Sequence, residues 1–161
     1  MKIVLFALNG SWAHSALSVR ALRAALCDEG IDPTVIEANL QDRTFSVLER
    51  LHRSAGDVYG FSCYIWNIEQ MLSLAADLKA VRPDCRIILG GPEVSFATER
   101  FDGMDWIDSI LCGEAEEEFA ELCSRIDEGK PFSRVIQCRC PAVMGDEGIL
   151  YRDGERVGSS L

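Results

Sequence analysis

The chain has 161 residues, 48% of them hydrophobic, and a formal net charge of −10. That length allows one ordinary domain with its own core, and no stretch approaches the ~20 apolar residues of a membrane span. An acidic surface repels phosphate backbones, which argues against nucleic-acid binding through a basic groove.

Strands and helices alternate along the chain. Residues 2–8 read as a buried first strand; the run meets polar Asn9-Gly10-Ser11 and carries no signal-cleavage pattern. Leu17, Ala21, Leu22, Ala25 and Leu26 give a helix at about 15–28 its apolar side, and Gly30 stops it. A second strand follows at 33–38, a helix at 43–53 and a third strand at 58–62. Asn67 then reads as a helix N-cap with Gln70 three positions on, a form of capping box. The helix it opens ends before Pro83. Residues 86–89 are the fourth strand, 94–100 a short helix, 106–111 the fifth strand and 114–126 the last helix. Glu116, Glu117 and Glu118 suit the positive end of that helix dipole and read as a solvated face.

Five β/α units in this order predict a doubly wound, five-stranded parallel sheet of Rossmann-like or flavodoxin-like type. Its order is 2-1-3-4-5, with helices on both faces and right-handed crossovers throughout. The expected domain covers 1–129. Residues 130–161 read as a linker or hairpin, in which 135–140 pairs with 149–152. Seven scattered cysteines suit a reducing cytosol, so the expected location is cytoplasmic.

Ligands of open α/β sheets sit at the carboxyl ends of the strands. The loops there are Asn9-Gly10-Ser11-Trp12-Ala13-His14, Ser62-Cys63-Tyr64-Ile65-Trp66-Asn67, Gly90-Gly91-Pro92-Glu93 and Cys112-Gly113-Glu114. Two glycines after an apolar strand allow a sharp turn and let a ligand approach the backbone. Aromatic walls and a glycine floor suit a large, partly apolar ligand better than a small anion. A phospho-acceptor domain needs acidic residues where this chain has Asn9 and Ser62. The patterns G-x-G-x-x-G and G-x-x-x-x-G-K-[ST] are missing. Cys63 and Cys112 end strands two spacings or ~10 Å apart, too far to share a metal. Cys138 and Cys140 would face the same side of a strand and read as structural.

Three motifs in order, Phe61-Ser62-Cys63-Tyr64-Ile65-Trp66-Asn67, Leu89-Gly90-Gly91-Pro92-Glu93 and Gly113-Glu114-Ala115-Glu116, resemble the cobalamin-binding domain that precedes the catalytic domain of B12-dependent radical SAM proteins. The resemblance covers about 1–127. It implies that the corrin lies over the strand ends and the nucleotide tail enters the sheet–helix groove. Ser62, Gly90 and Gly91 would then admit the tail. Tyr64, Ile65, Trp66, Pro92 and Glu93 would line the corrin side, with Asn9, Ser11, Trp12, His14, Cys63, Asn67, Gly113 and Glu114 completing the binding loops. The partner it implies is a C-terminal radical SAM domain of the same chain, carrying a [4Fe-4S] cluster and SAM and acting on an unknown substrate. The C-x-x-x-C-x-x-C motif for that cluster is not in this stretch, so no turnover is expected of it alone. The D-x-H-x-x-G pattern of histidine-ligated cobalt is also missing, so His14 is not expected to bind the metal. A flavodoxin-like electron carrier and a ligand-free interaction domain are the readings that remain beside it.

Overall fold

The computed structural model describes residues 1–10 and 16–138 in full, and beyond them the strands Val143–Met144, Ile149–Arg152 and Glu155–Ser159. The sheet strands are β1 (Ile3–Asn9), β2 (Thr34–Asn39), β3 (Val58–Ser62), β4 (Arg86–Gly90), β5 (Ser109–Cys112) and β6 (Val135–Gln137). All neighbours pair in parallel, in the order β2-β1-β3-β4-β5-β6. The helices are α1 (Leu17–Asp28), α2 (Thr44–Ser54), α3 (Ile68–Val81) and α4 (Glu116–Asp127). A small antiparallel sheet of β7 (Val143–Met144), β8 (Ile149–Arg152) and β9 (Glu155–Ser159) follows.

Helices cover both faces, which is why β1 is apolar at every interior position. On one face Phe6, Tyr59, Phe61, Ile87 and Leu89 pack against Val47 and Leu51 of α2 and Met71 and Leu78 of α3. On the other, Leu5, Val58, Ile88 and Leu111 meet Val19 and Leu26 of α1 and Phe119 and Leu122 of α4.

Several sequence expectations change. Val135–Gln137 does not pair with Ile149–Arg152 but extends the main sheet beside β5. Its crossover breaks the assumed uniform hand. Helices α1 and α4 share a face, yet α1 carries the chain toward the β2 edge and α4 toward the β6 edge. The two connections therefore have opposite hands, against the strong rule for parallel units. The expected helix at 94–100 is a 3-10 turn, Thr98–Phe101, and β5 begins at Ser109 rather than Trp106. Asn67 makes no side-chain cap for α3; its amide is engaged elsewhere, as described below.

Candidate functional site

The carboxyl ends of the central strands form one row. Ala7, Ser62, Gly90 and Leu111 are successive register partners across β1, β3, β4 and β5. Strand alternation turns all four toward α1 and α4. Three small residues in that row leave the helices without a floor to pack on. The result is a cavity of about 380 Å³ that opens at the strand ends and runs between sheet and helices. Its inner wall is Ile88, Leu22 of α1 and Phe119 of α4; Gly60 leaves room for the Phe119 ring, which a Cβ there would approach to 3.1 Å. The Ser18 and Ser62 hydroxyls, 2.7 Å apart, join α1 to β3 along one side.

The two glycines after β4 have different tasks. A Cβ at Gly90 would meet nothing within 4 Å; it would stand in the cavity. Gly91 has φ +110°, and its Cβ would collide with the Cys63 carbonyl and lie 3.0 Å from the Cys63 nitrogen. Gly91 is therefore required by the chain itself, whatever binds nearby. Around it the loop is tightly tied. Cys63 N–H donates to Gly90 O at 2.7 Å, Ser95 Oγ to Gly91 O at 2.8 Å and Gly113 N–H to Ser95 Oγ at 3.0 Å. Glu93 accepts from Arg100 at both its carboxylate (3.0 Å) and its carbonyl (2.7 Å), so its charge is already paired. Pro92, Gly113 and Glu114 line the cavity mouth.

The β3–α3 loop supplies the aromatic wall. Tyr64 and Trp66 stack with centroids 4.6 Å apart and planes 11° from parallel. Ile65 and Trp66 are 77% and 55% exposed, and Phe96, from the loop after β4, is 77% exposed. These apolar groups face solvent at the strand ends rather than the core. Asn67 is buried beneath them: its Nδ2 donates to Leu8 O and Ser62 O, and its Oδ1 accepts from Tyr64 N–H. A second cavity, about 420 Å³, lies over β1 and β3, bordered by Asn9, Gly10, Leu17, Trp66 and Asn67. Ser62 and Tyr64 border both cavities and form the ridge between them. Asn9 Nδ2 donates to Glu37 Oε2 at 2.7 Å.

Cys63 lines neither cavity. Its thiol is fully buried, and burial pushes its pKa up to about 12, so it stays protonated. Burial raises the Cys112 thiol as well. No metal-binding cluster occurs among the described residues. Ser11, Trp12, His14 and Cys140 lie outside the described residues. Ser18, Leu22, Ser95 and Phe96 are site residues that sequence reasoning missed. Only Phe96, a large apolar residue just past a strand-end turn, carried a signal that could have found it.

Among the described residues, no lysine, arginine or histidine lines either cavity. The arrangement suits a large ligand with apolar faces and offers no countercharge to a phosphate monoester.

The profile of the B12 binding domain family matches residues 5–123. This chain belongs to the B12-binding domain family. The domain is 30% identical over 106 residues to the 2-(S-pantetheinyl)-carbapenam-3-carboxylate methyltransferase of Streptantibioticus cattleyicolor, a match covering 63% of this chain and 15% of that protein. It is 26% identical over 106 residues to the cobalamin-dependent radical SAM methyltransferase TokK of Streptomyces tokunonensis, covering 65% of this chain and 15% of that one. The B12-binding domain thus spans a small part of the length of the relatives it matches. Its fold is also that of the cobalamin-dependent S-adenosylmethionine radical enzyme OxsB with aqua-cobalamin and S-adenosylmethionine bound. There the TM-score is 0.69 at 16% identity, over 100% of this chain and 23% of that chain. The site geometry fits the family's cofactor: the space beside Gly90 is what a Cβ would fill, and the slot behind it is lined mainly by apolar side chains.

Proposed function

We propose that the corrin of cobalamin lies across the strand ends, over Tyr64, Ile65, Trp66 and Pro92. Its nucleotide tail would pass Gly90 into the cavity between β4 and α4. The row Ala7, Ser62, Gly90 and Leu111 carries this reading, because it opens a slot into the sheet–helix interface at the strand ends. A corrinoid tail carries only a phosphodiester, offset by the charge of the metal ring, so the lack of lining cations is no obstacle. Ser62 meets the tail, the Tyr64–Trp66 stack supports the ring, and the tied loop around Gly91 keeps the floor rigid. Asn9, Asn67, Gly113 and Glu114 shape the rim, and the loop bearing Ser11, Trp12 and His14 borders it in sequence.

When bound, cobalamin supplies a carrier for one-carbon transfer. We infer that this domain presents it to a radical SAM domain of the same polypeptide, with a [4Fe-4S] cluster and SAM, and that the whole protein transfers a methyl group to a substrate of unknown class. The domain would then run through β6, with the following strands leading toward that partner. No helix among the described residues is long and apolar enough to cross a membrane. From the seven scattered cysteines we infer a cytoplasmic location. Dialysis of the folded chain against hydroxocobalamin tests the binding reading: about one equivalent should be retained, with an altered visible spectrum. Loss of all corrinoid on dialysis would contradict it. Coding sequence beyond Leu161 that lacks C-x-x-x-C-x-x-C would contradict the radical SAM reading.

A further inference from the structure

We propose that Phe96 is a latch on the bound corrinoid: its ring folds across the cavity mouth once the tail has entered and slows release. The proposal rests on the cobalamin reading above and adds what keeps the cofactor in place.

Phe96 stands apart from the other apolar residues of its loop. Val94 and Phe101, on either side of it in sequence, are buried, while Phe96 is 77% exposed at the mouth. Burying an aromatic ring is favourable, and the ligand-free chain leaves that gain unused. The next residue, Ala97, has φ +51° and ψ +51°, the left-handed region that a residue with a Cβ enters at a cost. An exposed ring and a costly backbone turn thus stand side by side at the cavity mouth. Both are accounted for if the turn aims the ring at a ligand.

The loop is anchored on either side of this pair. Ser95 Oγ donates to Gly91 O at 2.8 Å and accepts from Gly113 N–H at 3.0 Å, tying the loop to both glycine turns. Beyond the pair, Arg100 N–H donates to Ala97 O at 3.2 Å. The Arg100 guanidinium holds Glu93 and lies 4.7 Å from the centre of the Phe101 ring. With the backbone held, closure needs only rotation of the Phe96 side chain about its own bonds. Pro92 and Ala115 line the same mouth and give the closed ring an apolar seat. Phe96 borders this cavity and not the one over β1 and β3. What it covers is therefore the tail, not the corrin face.

The test times release. The 161-residue chain is loaded with radiolabelled hydroxocobalamin, or with radiolabelled cobinamide, which has no nucleotide tail, and is diluted into excess unlabelled corrinoid. Phe96→Ala should release hydroxocobalamin at least tenfold faster than the parent chain, about 1.4 kcal/mol. Cobinamide release and the urea midpoint of the ligand-free chain should not change. Phe96→Leu, which keeps apolar bulk, should fall between the two. In the parent chain, chymotrypsin should cut after exposed Phe96, and hydroxocobalamin should suppress that cut, as read by mass spectrometry. Parental release of hydroxocobalamin from Phe96→Ala would overturn the latch. So would equal acceleration of cobinamide, or a cut after Phe96 that hydroxocobalamin leaves unchanged. If the parent chain retains neither corrinoid, the cobalamin reading itself falls, and the latch with it.

Discussion

The side-chain amide of Asn67 donates to the carbonyl of Leu8 at 3.0 Å, tying the loop after β3 to the end of β1. The same amide also donates to Ser62 O at 3.2 Å and accepts from Tyr64 N–H at 2.8 Å. It therefore spans the switch point, where connections leave the sheet in opposite directions. Asn67→Ala should lower stability by about 1–3 kcal/mol, because buried backbone groups lose their partner. Urea unfolding measures this. The near-UV circular dichroism of the Tyr64–Trp66 stack should weaken as well. Full stability in the variant would show that water replaces the amide without loss.

The glycine pair separates ligand from fold. Gly90→Val should leave the unfolding midpoint nearly unchanged, since its side chain enters open space. It should weaken cobalamin more than tenfold, about 1.4 kcal/mol. Gly91→Val should instead destabilise or unfold the chain, because φ +110° and the Cys63 backbone both exclude a side chain. Thermal unfolding and dialysis of both variants check this. A stable Gly91→Val chain, or unchanged affinity in Gly90→Val, would reverse these roles.

Burial holds the Cys63 and Cys123 thiols at about 12, above the ordinary value of 9.0. Raised folded values mean that the unfolded chain loses these protons first. Their contribution to stability is complete below about pH 9 and falls as pH rises toward 12. The chain should therefore be increasingly easy to unfold by urea between those limits. At pH 8, a thiol reagent should label exposed Cys27 and spare Cys63 and Cys123 until denaturant is added. Rapid labelling of Cys63 in the folded chain would contradict its place beneath the loop.

Most of the frame was legible because covered parallel strands must be apolar on both faces: Ile3–Leu8, Val58–Ser62 and Ile87–Leu89 declare themselves. The sixth strand read as a strand, but its place beside β5 did not show. Val135–Gln137 is half-exposed, short and weakly patterned, and its crossover has the hand opposite to that of α1. The site's loops were legible as glycine and aromatic clusters. The division of labour between Gly90 and Gly91 was not, because it depends on where the Cys63 carbonyl falls. Ser18 was invisible for a similar reason: one serine on a helix gains meaning only when register brings Ser62 opposite. Asn67 has the sequence signature of an N-cap, and tertiary partners claimed its amide instead.

His14 has no aspartate two residues before it, and the D-x-H-x-x-G spacing is absent. His14→Ala should therefore leave the visible spectrum of bound cobalamin unchanged, together with the nitrogen hyperfine pattern of its Co(II) form. Conversion of a nitrogen-ligated spectrum to a base-off one in the variant would identify His14 as the ligand.

The most direct test of where the cofactor sits is a crystal structure of the chain with hydroxocobalamin, phased on cobalt anomalous scattering. The cobalt peak should lie over the strand ends beside Tyr64 and Trp66, with tail density running past Gly90 between β4 and α4. A cobalt peak elsewhere, or a tail that stays outside the cavity bounded by Ser62, Gly90 and Phe119, would contradict the account.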